Sequence, residues 1–424
     1  MRWRPLKGAT GRWCIGCGGE QHLSQNLDSP VSNPIQEEVP MKWKKVSLMT
    51  IFSMGVLWMV GCGEESPLSP GAEEMSAPAP KLTGSANRVA GTCERPHCRP
   101  GFGASAVSDP VGSLWRVADV VGGGAKPFAI GHRGFGINLG EDPERPVENT
   151  VEAVLDGFGS QVPMVEVDVQ LTQDGHAVVF HDDLLADGTC INTLPLDELL
   201  QVAPEVPTLK LVLQTASPFT RQHDGPSGIV DIEIKAPSPQ CDPDDVFASA
   251  LVAAVVSDVE QTDMTEQVLI ESFSPAVIAA VAASAPDVAR VLSVNVLQFL
   301  PAEQIEAATG WEVNPIDKDA GFGLQWANIG GLFRLPGYVS VEQFAGVALS
   351  TGSTAVAVDI QILQQAELGT PGSGGLLVGG LQSLGLSVWS FTVTDEAGWF
   401  FLNALGIDGI FVDDVPLGVA LQGR

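Results

Sequence analysis

The stretch VEVDVQLTQDGHAVVFHD, from Val165 to Asp182, contains two alternating apolar runs separated by the turn-forming residues TQDG. Alternation on both sides of such a turn is typical of a β-hairpin. Because strand side chains alternate between two faces, Glu166 and Asp168 project from the same face. The hairpin returns His181 to a place opposite Glu166. This stretch therefore predicts two carboxylates and an imidazole on one patch.

The two adjacent carboxylates allow two interpretations. Like charges repel at this separation unless a positive charge lies between them. Divalent cations such as Mg²⁺ and Ca²⁺ take oxygen ligands of this kind. A solvated edge strand with exposed acidic residues explains the same pattern without an ion. The hairpin alone does not decide between them.

Apolar runs that resemble strands alternate with helical stretches from about residue 126 to the end of the chain. The eight predicted strands are Phe128–His132, Met164–Gln170, Ile229–Lys235, Val268–Phe273, Arg290–Val294, Ala355–Ile360, Ser387–Val393 and Gly409–Val412. Most are rich in Val, Ile and Phe, as parallel strands covered on both faces should be. The pattern predicts an α/β fold, a TIM (β/α)₈ barrel, with a doubly wound open sheet as the alternative.

Charged residues at the ends of other predicted strands favour the metal interpretation. Glu233 and Lys235 share one face of the strand IVDIEIK, and the first strand ends with His132 and Arg133. The carboxyl ends of barrel strands line the active face, and buried charges need partners. Glu233 can therefore be a third oxygen ligand, and Arg133 offers a planar donor fork to a phosphate.

Short motifs along the same region occur in a fixed order. They are HRG, ENT, EVDV, DG, HD, VPTL, EIK, ESF, VWSF and GIDGIFVDD, between His132 and Asp414. Together they resemble those of the glycerophosphodiester phosphodiesterases, and the resemblance covers about Pro127 to Val415. It implies a TIM barrel, a divalent cation (Mg²⁺ or Ca²⁺), and hydrolysis of glycerophosphodiesters to glycerol 3-phosphate and an alcohol. The family's insertion between HD and EIK corresponds to residues 183–228, between the hairpin and the third strand, and we expect it to shape a lid over the site.

The resemblance also implies roles for single residues. These are metal binding for Glu166, Asp168 and Glu233, acid–base catalysis for His132 and His181, phosphate contact for Arg133 and Lys235, proximity to metal and substrate for Glu148, and a place in the substrate pocket for Trp389. Attack by a glycerol hydroxyl would give a cyclic phosphate that water then opens. The two histidines can serve as base and acid in either order.

The amino-terminal region predicts export. Lys42, Lys44 and Lys45 precede an apolar run from Val46 to Val60, which is short for a membrane span and suits a signal peptide. An uncleaved membrane anchor is the alternative. The run ends in MVGC, which resembles a bacterial lipoprotein signal with a lipid on Cys62. We expect residues 41–61 to be the signal peptide and residues 62–125 a disordered tether, on the periplasmic side of an outer membrane or on the cell surface. Residues 1–40 are expected to be a leader or the product of a mis-assigned start.

Cysteine count and net charge agree with an exported protein that does not bind nucleic acid. Four cysteines remain after residues 1–62, an even number that suits two disulfides in an oxidising compartment: Cys93, Cys98, Cys190 and Cys241. Three pairings are open, and free thiols are the alternative. The formal net charge of −29 excludes nucleic-acid binding through bulk electrostatics.

Two other functions remain open from the sequence. A phospholipase D-type enzyme acting on lysophospholipids or sphingolipids would share the barrel, the histidines and the metal. A surface lipoprotein that binds phosphodiesters without hydrolysis would share only the barrel. The complete set of catalytic residues favours an enzyme.

Overall fold

The computed structural model describes residues 127–138, 142, 144–221, 228–318 and 321–422, with only the backbone of Thr220 and Arg221. The predicted leader, signal peptide, lipid-bearing Cys62 and tether lie outside these residues, as do Cys93 and Cys98. Among the helices of the described ranges, none combines the length and the apolar character needed to cross a bilayer.

Twelve strands occur in the described ranges. They are β1 (Phe128–Gly131), β2 (Met164–Leu171), β3 (Ala177–Val179), β4 (Ile229–Ile234), β5 (Val268–Ser272), β6 (Ala289–Val294), β7 (Val313–Ile316), β8 (Gln325–Ile329), β9 (Phe333–Gly337), β10 (Ala355–Asp359), β11 (Ser387–Val393) and β12 (Gly409–Val412). The α-helices are α1 (Val151–Gly159), α2 (Leu196–Val202), α3 (Leu209–Arg221), α4 (Phe247–Gln261), α5 (Pro275–Ser284), α6 (Ala302–Thr309), α7 (Val341–Ser350), α8 (Ile360–Gly369), α9 (Ser373–Ser383), α10 (Glu396–Leu405) and α11 (Val415–Leu421). Short 3₁₀ turns cover Ile191–Thr193 and Val296–Phe299.

Eight parallel strands close into a barrel. Their order is β1-β12-β11-β10-β6-β5-β4-β2, and β1 also pairs with β2 to complete the circle. Strand β3 adds to β2 as the antiparallel partner of the predicted hairpin. The predicted TIM barrel is confirmed, and all eight predicted barrel strands match within one residue at each end.

Inward-facing residues change from apolar to charged along the strands. In β2, Met164 lies in an apolar cluster inside the barrel and is followed on the same face by Glu166 and Asp168. In β4, Ile229 belongs to this cluster, and Glu233 lies further along the strand. The apolar residues fill the amino-terminal part of the barrel, so the charged residues are held at its carboxyl-terminal mouth.

The segment 183–228 contributes to the helical layer of the barrel. Within it, the buried residues of α3 (Leu209, Val212, Leu213 and Ala216) belong to the main hydrophobic core. Helix α3 therefore serves as the crossover that covers the outside of the barrel before β4. A lid could come only from the rest of the segment, and that role stays a prediction.

An antiparallel sheet of β7, β8 and β9 lies between β6 and β10 in sequence. It packs around Ile305, Ile329 and Leu335, with Phe273 at the edge of the same cluster. The sequence pattern does not predict this sheet, because its strands have only four or five residues and include Pro315, Pro336 and Gly337.

Candidate active site

Three carboxylates meet at the mouth of the barrel. Glu166 and Asp168 come from β2, and Glu233 is the register partner of Asp168 on β4. Each of the three offers an oxygen within 4.8 Å of the others. All three residues are buried, with exposures of 2%, 1% and 8%. The structure thus brings together the three predicted metal ligands.

Burial and mutual repulsion make this cluster unfavourable when fully charged. Burial, followed by the charges of Asp168 and Glu233, raises the pKa of Glu166 well above its usual range. Burial also raises the pKa of Glu233. Burial opposes ionisation of Asp168 too, but Lys235, His181 and Arg133 together outweigh it and hold its pKa well below the usual range.

The donor set fits a divalent cation. Within the described part of the chain, no group donates a hydrogen bond to Oε1 of Glu166, although this atom is buried. A buried carboxylate oxygen without a donor is costly unless a cation binds it. Hard divalent cations bind clusters of carboxylate oxygens, so Glu166, Asp168 and Glu233 are suitable ligands.

Two cationic side chains border the carboxylates. Nζ of Lys235 lies 3.0 Å from Oδ1 of Asp168 and 2.7 Å from Oε1 of Glu233. Burial alone would lower the pKa of Lys235, but these two carboxylates raise it, so the ammonium stays charged. The guanidinium of Arg133 lies 3.4 Å from Asp168 and donates to Glu148 at 2.5 Å. Both cations can therefore contact a phosphate at the cluster.

The loop after β1 fixes His132 and Arg133. Nδ1 of His132 donates to Oδ1 of Asp413 at 2.7 Å, which leaves Nε2 free for proton transfer. The backbone N–H of Arg133 donates to Oε2 of Glu166 at 2.8 Å. Arg133 has a φ of 52°, and Asn149, at 60°, accepts and donates hydrogen bonds with Asp168. The left-handed conformation is unfavourable for Arg133, whereas asparagine adopts it readily.

The hairpin brings the second histidine to the same mouth. Nδ1 of His181 donates to Oδ1 of Asp182 at 2.6 Å, and the carbonyl of His181 accepts from the Gln170 side chain at 3.1 Å. The hydrogen bond from His181, more than any other interaction, lowers the pKa of Asp182. Each histidine is thus held by an aspartate through Nδ1, an arrangement that suits a pair of acid–base groups.

Comparison with known proteins decides the family. The sequence model of the "Glycerophosphoryl diester phosphodiesterase family" matches residues 132–417, well over half of the chain. The chain belongs to this family. The match begins at His132, directly after β1, ends within α11, and contains every site residue described above.

Single relatives match shorter stretches of this chain than the family model does. A glycerophosphocholine phosphodiesterase of Eremothecium gossypii is 35% identical over 103 residues, which is 23% of this chain and 8% of that protein. A glycerophosphodiester phosphodiesterase of Arabidopsis thaliana is 31% identical over 93 residues, 19% of this chain and 25% of that protein. The matches thus span a quarter or less of these relatives' own length. A crystal structure described as a glycerophosphoryl diester phosphodiesterase from Silicibacter pomeroyi shares the fold, with a TM-score of 0.51, 20% identity, and coverage of 73% of this chain and 99% of that one.

Trp389 departs from the expectation that it lines the substrate pocket. Its side chain is fully buried in the apolar cluster inside the barrel, where its ring contacts Phe128 and Phe411. Its indole N–H donates to the Ser387 hydroxyl at 2.7 Å. Phe391, two residues further along β11, is only partly buried and packs edge-on against Phe273, whose ring lies 5.9 Å from Nζ of Lys235. Phe391 is therefore nearer the mouth than Trp389.

Three residues of this site carried no assigned role in the sequence analysis. Asp413, Asn149 and Asp182 lie within the quoted motifs GIDGIFVDD, ENT and HD, yet each acts by holding another residue. Asp413 and His132 are 281 positions apart, so only the closed barrel brings them together. Their positions within the quoted motifs are the feature of the sequence from which these three residues could have been predicted.

One of the two predicted disulfides lies within the described residues. Cys190 and Cys241 form a disulfide with Cα atoms 5.6 Å apart. Sequence analysis left this pairing open among three. The disulfide joins the segment that follows His181 to the segment that follows Lys235.

Proposed function

We propose that this protein is a phosphodiesterase that hydrolyses glycerophosphodiesters to glycerol 3-phosphate and an alcohol with the help of Mg²⁺ or Ca²⁺. The observation that carries the proposal is the buried set of Glu166, Asp168 and Glu233 between two histidine–aspartate pairs at one barrel mouth. Family membership supports the reaction class. The name of the Eremothecium gossypii relative makes glycerophosphocholine the first substrate to test.

The residues around the carboxylates suit a phosphodiester. Glu166, Asp168 and Glu233 would hold the cation, which when bound neutralises phosphate charge and lowers the pKa of a nearby hydroxyl. Arg133 and Lys235 would donate to the phosphate oxygens and stabilise charge that develops during attack. The chain has a net charge of −29, so an anionic substrate depends on these local cations.

The two histidines divide the proton transfers. Nε2 of His132 takes the proton of a glycerol hydroxyl, whose oxygen forms a new bond to phosphorus. The bond from phosphorus to the leaving alcohol breaks, and His181 gives its proton to that alcohol. We assign the leaving group to His181 because its side chain is the more exposed, 36% against 15% for His132. Water then opens the cyclic phosphate with the two histidines in reversed roles.

The test is product analysis of purified protein with glycerophosphocholine. Glycerol 3-phosphate and choline should form, and a chelator should stop the reaction. His132→Ala and His181→Ala should each lower kcat by about 10²–10⁴-fold, the usual contribution of an acid–base group. His176→Ala is the matched control, because His176 lies in the same hairpin with its side chain 55% exposed.

Two outcomes would overturn the proposal. His181→Ala with wild-type turnover would remove the acid–base role. Failure of the wild type to hydrolyse any of a panel of glycerophosphodiesters with Mg²⁺ or Ca²⁺ would remove the activity. Choline release from lysophosphatidylcholine in preference to glycerophosphocholine would favour the phospholipase D-type alternative.

We also propose that the enzyme is an exported lipoprotein attached to a membrane through Cys62. The signal-like sequence that ends in MVGC supports this location, as does the Cys190–Cys241 disulfide, since such bonds persist in oxidising compartments. Metabolic labelling with a fatty acid, compared between the wild type and Cys62→Ser, tests the attachment.

A further inference from the structure

Two site-bearing segments of the barrel mouth are tied to each other. The first, residues 181–193, follows β3 and begins with the His181–Asp182 pair. The second, residues 235–246, follows β4 and begins with Lys235. A disulfide and several polar contacts connect these two segments.

Asp183 makes the contact nearest to the histidine. Its Oδ2 accepts a 2.6 Å hydrogen bond from the backbone N–H of Ser238, which is buried at 5% exposure. Its carbonyl accepts from the N–H of Ile191 at 2.9 Å, and Sγ of Cys241 lies 3.6 Å from the same oxygen. Asp183 thus links a position two residues after His181 to one three residues after Lys235.

The disulfide closes the far end of the same connection. Cys190 and Cys241 are 51 positions apart in sequence, and the side chain of Asn192 donates to the carbonyl of Cys241 at 2.9 Å. Asn192 is itself buried at 7% exposure. Loops at a barrel mouth are otherwise free to move, so these contacts restrict the first segment at two separate places.

The second segment is itself anchored, so it can serve as a fixed support. Arg334 on β9 is 7% exposed and donates to Oδ1 of Asp245 at 2.9 Å and to the carbonyl of Asp242 at 2.5 Å. The N–H of Gln240 donates to the carbonyl of Gly331 at 3.3 Å. The inserted sheet therefore holds the segment to which Asp183 and Cys190 attach.

We propose that Asp183 and the Cys190–Cys241 disulfide are positioning elements for the proposed phosphodiesterase reaction. They fix the His181–Asp182 pair relative to Lys235, and so hold the group that protonates the leaving alcohol at the phosphate. The idea rests on the proposed function. A misplacement of about 1 Å at a reacting group can cost about 10²-fold in rate, so a small loop shift is sufficient.

The first experiment compares Asp183→Ala, Asp183→Asn and the double variant C190S/C241S. Asp183→Ala should lower kcat for glycerophosphocholine by about 10-fold or more with little change in KM, because substrate binding depends on other residues. Asp183→Asn should restore most of kcat, since its amide oxygen can still accept from Ser238. The double variant should lower kcat in the same way, at a temperature well below its unfolding midpoint.

Asp187→Ala is the matched control. Asp187 lies in the same segment and accepts a 2.9 Å hydrogen bond from a backbone N–H, but its donor Thr189 belongs to the same segment. This variant should keep wild-type kcat. Unchanged kcat in Asp183→Ala, or equal losses in Asp183→Ala and Asp187→Ala, would overturn the positioning role.

Hydrogen–deuterium exchange gives a readout that does not require activity. Exchange in residues 180–194 should speed up in Asp183→Ala and in the double variant, while the barrel strands β4 and β5 keep wild-type rates. Equal exchange in all proteins would show that the contacts restrict nothing and would overturn the proposal. A wild type that hydrolyses nothing would refute the proposed function, whereas the exchange comparison would still decide whether the segment is held.

Discussion

Single residues at this site act largely through others. His132 transfers protons only if Nδ1 carries a hydrogen, and the Asp413 carboxylate, 2.7 Å away, enforces that tautomer. Oδ1 of Asp413 also accepts from the N–H of Ile137 at 3.1 Å, and so links His132 to the loop that follows β1. An aspartate directly after the last strand therefore sets the tautomer of a histidine directly after the first strand.

Asp413→Asn should lower kcat by about 10²-fold, within the range that acid–base catalysis contributes. The amide lacks the negative charge that stabilises the imidazolium formed when Nε2 takes a proton. Where its NH₂ group faces Nδ1, it also favours the tautomer in which Nε2 is protonated and gives up the contact with Ile137, since Oδ1 makes both contacts. Asp414→Asn is the control, since Asp414 caps α11 through the N–H of Leu417. Steady-state kinetics of both variants would check this. Equal kcat values for the two would contradict the orienting role.

The sequence predicts the charged residues of the site better than it predicts the residues that fix their positions through hydrogen bonds. Glu166, Asp168 and Glu233 were predictable because strand periodicity places them on an inward face. A charge buried there requires a partner of opposite charge, such as a cation. Asn149 carries no such signal, because asparagine is common near helix starts, and here Thr150 is the residue that caps α1. Trp389 was placed too near the mouth because its depth depends on which inward-facing layer of the barrel it occupies.

Elements were predictable where their sequences are long and uniform. The barrel strands are rich in Val, Ile and Ala, as strands covered on both faces are, even where charged residues interrupt β2 and β4. The β7–β9 sheet was not predicted because its strands VNPI, QWANI and FRLPG mix exposed, polar and apolar residues without a regular period. Its stability comes from packing with α6 and the turn Val296–Phe299, which no local pattern reveals.

Tyr338 joins this inserted sheet to the barrel and gives a pH-dependent test of that packing. It follows β9 at 4% exposure, and its ring contacts Phe299 and Phe344 of α7. Burial raises the pKa of Tyr338, and among the described residues its hydroxyl has no hydrogen-bond partner. The folded state therefore favours the neutral phenol, and the unfolded state ionises first as pH rises.

The stability that Tyr338 contributes should be complete below its unfolded pKa of about 10 and fall above it, by at most about 1.4 kcal/mol per pH unit. Tyr338→Phe keeps the ring and removes this ionisation. The free energy of unfolding of both proteins, measured between about pH 8 and 11, should diverge in favour of Phe above about pH 10. Tyr338 is the single tyrosine of the chain, so its absorbance reports ionisation directly. Parallel pH curves would contradict its burial.

At the scale of the whole molecule, closure of the barrel and the net negative charge of the chain both determine what the mouth can bind. The barrel closes through the β1–β2 pairing, and this brings Asp413, Arg133 and Glu166 from both ends of the sequence to one mouth. The chain as a whole is strongly acidic, with 51 Asp and Glu against 22 Lys and Arg. The mouth is therefore where positive charge has to be concentrated if an anionic diester is to bind.

Cation binding should consequently stabilise the whole fold. Glu166, Asp168 and Glu233 repel one another when buried, and a dication that binds only the folded state adds about 2.7 kcal/mol at a concentration 100 times its Kd. Thermal unfolding of the wild type should shift upward with Mg²⁺ or Ca²⁺, and NaCl at equal ionic strength serves as the control for screening. Glu233→Gln removes one ligand charge and should lose most of the shift. An equal shift of the unfolding temperature in the wild type and Glu233→Gln would place the cation on the acidic surface instead. The substitution affects cation binding only if Glu233 is a ligand.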